Sequence, residues 1–151
     1  MVLPIISFDG PVWRLLPKGL AAQPAIPASA PEGRFHHSGQ VAAYASLSAE
    51  GAIVAIQRYL RDGVERVLIP MRLTAARVVD ARGMPSASIV WQDLRSAGEH
   101  SPTWLFSDEA RNLGADAMLY SSRSRPDLSH VVVFRPECLN TFGEASDHIA
   151  R

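Results

Sequence analysis

The sequence predicts an α+β domain, and three observations lead there. Short runs of β-forming residues alternate irregularly with two helical runs, too few helices for a doubly wound sheet. A chain of 151 residues holds one domain with a real core rather than two, here residues 1–151 with a core over about 12–136. An apolar content of 47% and a mean hydropathy of +0.02 fit a soluble globular protein.

The elements follow in order. Val12 to Leu16 reads as a strand closed by Pro17. Lys18 to Ala30, rich in Ala and Pro, has no periodicity and reads as an irregular crossing. Gln40 to Ala45 is a strand ending at serines. Ser48 then caps a helix with Glu50 in its first turn, where a negative charge is favoured. Ala52, Ala55, Ile56, Tyr59 and Leu60 recur at helical spacing, and Asp62-Gly63 stops the run. "RVLIPMRL" and "ARVVD" read as two strands with a brief turn between them, Pro70 arguing for an edge or bulge. Ser107 to Leu113 reads as a short helix capped by Ser107 and followed by Gly114. "AMLYSS" is a strand entering the polar turn "SRSRPD", and "HVVVF" is a strand of nearly pure β-formers. From Gly143 the tail is expected to fray.

The composition also excludes function classes. The formal net charge is zero, which opposes binding to nucleic acid or to a membrane surface and lowers solubility near neutral pH. Fourteen arginines stand against the single Lys18. A GC-rich genome explains such a ratio, though arginine is also the better bidentate grip on carboxylate and phosphate. The single Cys138 forms no internal disulfide and belongs to no multi-cysteine zinc site. The start "MVLPIISFDGPVWRL" lacks a basic n-region and breaks at Asp9-Gly10, unlike a signal peptide. No apolar run has membrane-spanning length, so the expected compartment is the cytoplasm.

No phosphate-loop, G-x-S-x-G, H-E-x-x-H or dinucleotide fingerprint occurs. His36 and His37 are adjacent, but other ligand candidates are distant, so no metal site is expected. What remains is polar content at strand ends, concentrated in "EGRFHHSGQVAAYASLS". Arg34 follows Gly33; Tyr44 and Ser46 share a strand face; Ser122 follows "AMLY", close to Arg123 and Arg125. Together an arginine, a phenol and a strand-end serine can hold a phosphorylated, ring-bearing ligand. Each also has a plain structural reading: Tyr44 as a half-buried core residue, Ser122 as a turn serine, Arg34 as a surface ion-pair partner.

At these residues the chain resembles the RES-domain family, the toxin halves of bacterial RES–Xre toxin–antitoxin pairs, named for an arginine, a glutamate and a serine. The resemblance is carried by Trp13-Arg14 with "GRFHHSG", by Tyr44, Ser46, Ser48 and Ala52 in a "Y-x-S-x-S-x-x-x-A" block, and by Tyr120, Ser122 and "VVVFRP". It runs from about Val12 to Pro136. It implies an ADP-ribosyltransferase-like fold, a split and strongly bent mixed or antiparallel sheet with NAD as substrate in its cleft. It also implies an antitoxin partner with an Xre-like helix-turn-helix. By position Arg34 is the family arginine, holding the pyrophosphate with Arg123 nearby, and Ser122 is the family serine, positioning the nicotinamide amide or its ribose. Tyr44 packs against nicotinamide, with Ser46 on the same face.

One departure matters. The family glutamate falls at Ala55. Five residues turn a helix by roughly 140°, so Glu50 is no simple replacement, though it can reach a cleft from the first turn; a helix-terminal charge is its other reading. Cleaving the nicotinamide–ribose bond builds positive charge on the anomeric carbon, which a carboxylate stabilises. Without one at position 55, Glu50 serves, His36 supplies the polar or general-base function, or turnover is slow. Slow turnover suits ADP-ribosyl transfer to a scarce protein better than depletion of the NAD pool. The expectation is therefore transfer, with NAD degradation as the alternative and a catalytically silent binding module as the second alternative.

Overall fold

The computed structural model describes residues 3–57, 62–89 and 91–148. Its elements are β1 (Ile5–Pro17), β2 (Ala43–Ser46), α1 (Ala49–Ala55), β3 (Arg66–Asp80), α2 (Trp91–Ser96), α3 (Thr103–Asn112), β4 (Ala117–Ser121), β5 (Ser129–Val133), β6 (Leu139–Thr141) and β7 (Ser146–His148), with short 3-10 turns between some of them. The sheet order is β1-β2-β5-β4-β3-β6, β7 joins β3, and β1 returns to pair with β3. Among the described residues, only the β3–β4 ladder is parallel. This is the α+β architecture expected, with a split, mixed sheet bent back on itself.

Alternation along the strands assigns side chains to two layers. Ala43, Ala45, Val131, Val133, Ala117 and Leu119 join Val12, Met71 and Leu73 in one core. Their neighbours Val132, Met118 and Tyr120 face the other way, packing with Phe35, Phe106 and Ala110. Phe35 is fully buried, a burial that contributes about 2–3 kcal/mol. The candidate site grows from the end of this second layer.

Several elements depart from expectation. β1 begins at Ile5 and not at Val12, because Asp9-Gly10-Pro11 pairs with Arg72–Thr74 of β3. The two strands expected over 66–80 are one, β3. Pro70 is tolerated because its missing N–H falls between the stretches of β3 that pair with β7 and β6, where its carbonyl accepts from Phe142 N at 3.3 Å. The tail expected to fray carries β7, which pairs Ser146–His148 with Arg66–Leu68. Helix α3 starts at Thr103, so Ser107 is a buried interior residue, not a cap; its hydroxyl bonds back to Trp104 O at 3.3 Å. Ser48 does cap α1, accepting from Gly51 N at 3.0 Å. Tyr59 and Leu60, expected on the same helix, lie outside the described residues.

Candidate functional site

Arg34 is carried on a tight turn, closed where Gly33 N donates to His36 O at 2.9 Å. Only glycine fits at 33: a Cβ there would lie 2.4 Å from His36 Cε1 and 3.0 Å from the Tyr44 hydroxyl. Helix α3 grips the turn from outside. Trp104 Nε1 donates to Gly33 O at 2.8 Å, the Thr103 hydroxyl to Arg34 O, and Arg111 to Phe35 O at 2.9 Å and Val41 O at 3.0 Å. Asp108 accepts from both His37 Nε2 and Gln40 Nε2 at 2.9 Å. From inside, the Tyr44 hydroxyl accepts from Phe35 N at 3.0 Å and meets His36 Nδ1 at 2.7 Å.

These bonds assign the expected site residues of the turn different tasks. His36 is 3% exposed, and its Nε2 donates to Ala30 O at 2.9 Å, so Nδ1 accepts the Tyr44 proton. Both ring nitrogens are committed to holding the chain, and His36 lines neither lobe of the cleft described below. In this arrangement His36 braces the turn. Tyr44 lines the cleft with its ring, but its hydroxyl belongs to the turn, and burial raises its pKa.

The cleft floor is a row of three side chains across adjacent strands. Register places His130 of β5 opposite Ser46 of β2 on one side and Tyr120 of β4 on the other. Ser46 Oγ lies 2.7 Å from His130 Nδ1, and the Tyr120 and His130 rings are 5.4 Å apart. His130 is 5% exposed; burial first, and the Arg34 charge second, depress its pKa to about 4, so it is neutral at physiological pH. Burial pushes Tyr120 up to about 12. The Arg34 guanidinium lies 6.0 Å from the Tyr120 ring centre, and its Nη1 is buried with no hydrogen-bond partner.

The far wall is the turn after β4. Ser122 is buried; its N–H donates to Leu128 O at 3.0 Å and its hydroxyl accepts from Arg125 N at 3.3 Å. Beyond it Arg125 ion-pairs with Glu50 and with Asp127, each at 2.9 Å. Glu50 is exposed on this outer rim and lines neither lobe.

The cleft has two lobes. One, of about 380 Å³, brings together Arg34, Tyr120, Ser122, Arg123, His130 and Ala55. The other, of about 630 Å³, includes Trp13, Arg14, Tyr44, Ser46 and Arg66, and shares Ala55, Tyr120 and His130 with the first. The structure thus unites Arg34, Ser122 and Arg123 in one lobe and Tyr44 with Ser46 in the other. Ala55, the last residue of α1, lies at the junction. Among the described residues, no acidic side chain lines either lobe.

Arg14, Tyr120 and His130 were not among the expected site residues. Arg14 is 4% exposed and gives Nε to Tyr44 O at 2.9 Å and Nη1 to Pro24 O and Ile26 O at 2.7 Å each. Burial without a carboxylate lowers its pKa to about 10, so it keeps its charge at neutral pH. A polar residue heading the apolar run "HVVVF" was the one sequence signal for His130. No group of three or more metal-ligating side chains occurs among the described residues, and none of their helices is long and apolar enough to cross a membrane.

Comparison with known proteins agrees with this architecture. Among solved structures, the M. tuberculosis MbcT-MbcA toxin-antitoxin complex contains a chain similar to this one, with a TM-score of 0.66 and 15% identity over 96% of this chain and 87% of that one. At that identity the likeness is one of fold. No curated protein matches. The RES domain family matches residues 11–147, and this span includes every cleft residue named above. The chain belongs to the RES domain family.

Proposed function

We propose that the cleft binds NAD as a substrate and that the chain is the toxin of a toxin–antitoxin pair, transferring ADP-ribose to a cellular protein in the cytoplasm. The observation that carries this reading is the Arg34 guanidinium, whose Nη1 is buried and unpartnered on a polar wall shared with Ser122. A buried donor without an acceptor costs stability unless a ligand supplies one. A pyrophosphate does so with charge-assisted bonds. Tyr120 and the Tyr44 ring offer faces for a flat base, and Ser122 offers a hydroxyl for an amide or ribose. Membership of the RES family and a fold shared with one chain of a toxin–antitoxin complex support the same reading. They also support an antitoxin partner, for which an Xre-like helix-turn-helix protein is the proposed type.

The residues present fit NAD binding better than fast NAD cleavage. Among the described residues, no carboxylate lines the cleft to steady an oxocarbenium-like ribose. Slow transfer to a scarce acceptor tolerates that; depletion of a whole NAD pool does not. NAD degradation is therefore the second reading, and a silent module that binds only its antitoxin is the third, favoured by Ala55 at the lobe junction.

The test is incubation of antitoxin-free protein with NAD labelled in its adenylate part, together with a cell extract. The expected result is one labelled protein band, lost with Arg34→Ala, and an NAD affinity about 10- to 100-fold weaker in that variant. Free ADP-ribose or its phosphate without a labelled band would make it an NAD-degrading enzyme. NAD left intact would favour the silent module.

A further inference from the structure

Resting on the reading of the cleft as an NAD site, we infer that His130 is a ligand-contacting residue, a neutral hydrogen-bond donor through Nε2, and that Ser46 is the residue that fixes it in that tautomer. His130 borders both lobes, so a ligand spanning the cleft passes over it. Its Nδ1 is occupied by Ser46 Oγ at 2.7 Å, whereas Nε2 has no hydrogen bond with the described residues.

The direction of the Ser46 bond decides what Nε2 offers. Ser46 is 2% exposed and His130 is the one hydrogen-bond partner of its hydroxyl among the described residues. A buried hydroxyl that instead accepted from Nδ1–H would leave its own proton unused, which costs more than donating it. Ser46 therefore donates to Nδ1, and the ring proton resides on Nε2. The second nitrogen of an imidazole takes its role from the bond the first one makes.

A neutral N–H in the lobe that Arg34 also lines suits an oxygen of the ligand, either a phosphate oxygen or a ribose hydroxyl, without adding a second cation beside Arg34. It supplies a fixed donor at the lobe junction, where Ala55 offers no polar atom. Tyr120 closes the other side of the ring at 5.4 Å and keeps it from rotating out of the row. This role differs from that of Arg34, since it orients by a single neutral bond and not by charge.

Calorimetric titration with NAD, paired with NMR of ¹⁵N-labelled imidazole in the wild-type chain, tests it. His130→Leu should weaken NAD binding roughly tenfold, while His130→Gln, which keeps an N–H at similar reach, should stay within about threefold of wild type. In the unmutated protein the Nε2 resonance should be that of a protonated nitrogen and should move on saturation with NAD; Ser46→Ala should mix the two tautomers. The NMR arm stands even where His130→Leu fails to fold. Wild-type NAD affinity in folded His130→Leu, or an Nε2 resonance that ignores NAD while NAD binds, overturns the inference alone. Absence of NAD binding by the wild-type chain overturns it together with the NAD reading.

Discussion

The two walls of the cleft are built on opposite principles. The arginine turn is held by buried or half-buried donors aimed at backbone carbonyls: Trp104, Thr103 and Arg111 to Gly33, Arg34, Phe35 and Val41. The serine turn opposite is braced at its outer rim by Arg125 between Glu50 and Asp127, all in solvent. Carbonyl-directed bonds fix the backbone itself and are little screened by salt, whereas exposed ion pairs are weak and screened. The difference teaches which wall is fixed and which adjusts: Arg34 is placed before a ligand arrives, and the Ser122 side is free to accommodate one.

Acid has the largest expected effect, and it acts on the floor between the two walls. The folded pKa of His130 is near 4 against an ordinary 6.5. The unfolded chain therefore binds the extra proton between those values, and stability is full above pH 6.5 and lost as pH falls towards 4. The loss attributable to this group is about 3 kcal/mol. Denaturant titrations across that window should show it, and His130→Gln should flatten it. Wild-type slope in that variant would place the acid sensitivity elsewhere.

Next in size is the clamp. Arg111→Met keeps the aliphatic stem but removes both donors to the arginine turn and the guanidinium stacked 4.3 Å over Phe134. Unfolding should become easier by about 1–3 kcal/mol, with faster amide exchange at Phe35 and His36. Unchanged exchange there would show that α3 packs beside the turn without holding it. The smallest effect belongs to the rim. Glu50→Gln should leave thermal unfolding unchanged within error and alter NAD turnover by less than about threefold. A collapse of turnover would restore Glu50 as the cleft's carboxylate and erase the contrast.

The same contrast explains what could be read from the sequence. Strands β2, β4 and β5, the Ser48 cap and the α+β class follow from local pattern, and local pattern also put Arg34 and Ser122 at strand ends. The rest depends on partners remote in the chain. Asp9-Gly10 looks like a break in an apolar run until β3 lies beside it, and Pro70 looks like an edge or bulge until the gap between β6 and β7 is known. His36 and His37 resemble ligands because adjacency is visible and their bonds to Ala30, Tyr44 and Asp108 are not. His130 looks like no more than the first residue of a strand, since nothing local says that Ser46 and Tyr120 flank it. Ala55 was legible as a departure; that it borders both lobes, which no acid among the described residues lines, was not.

The return of β1 to β3 has a consequence for synthesis. Residues 5–17 emerge first yet wait for 66–80 to find their ladder, and the floor of the cleft needs Ser46, Tyr120 and His130 side by side. Pairings this distant in sequence form slowly. A nascent chain therefore owns no complete cleft floor until residue 130 has left the ribosome. Chains cut short before residue 130 lack the floor on which the proposed NAD site rests.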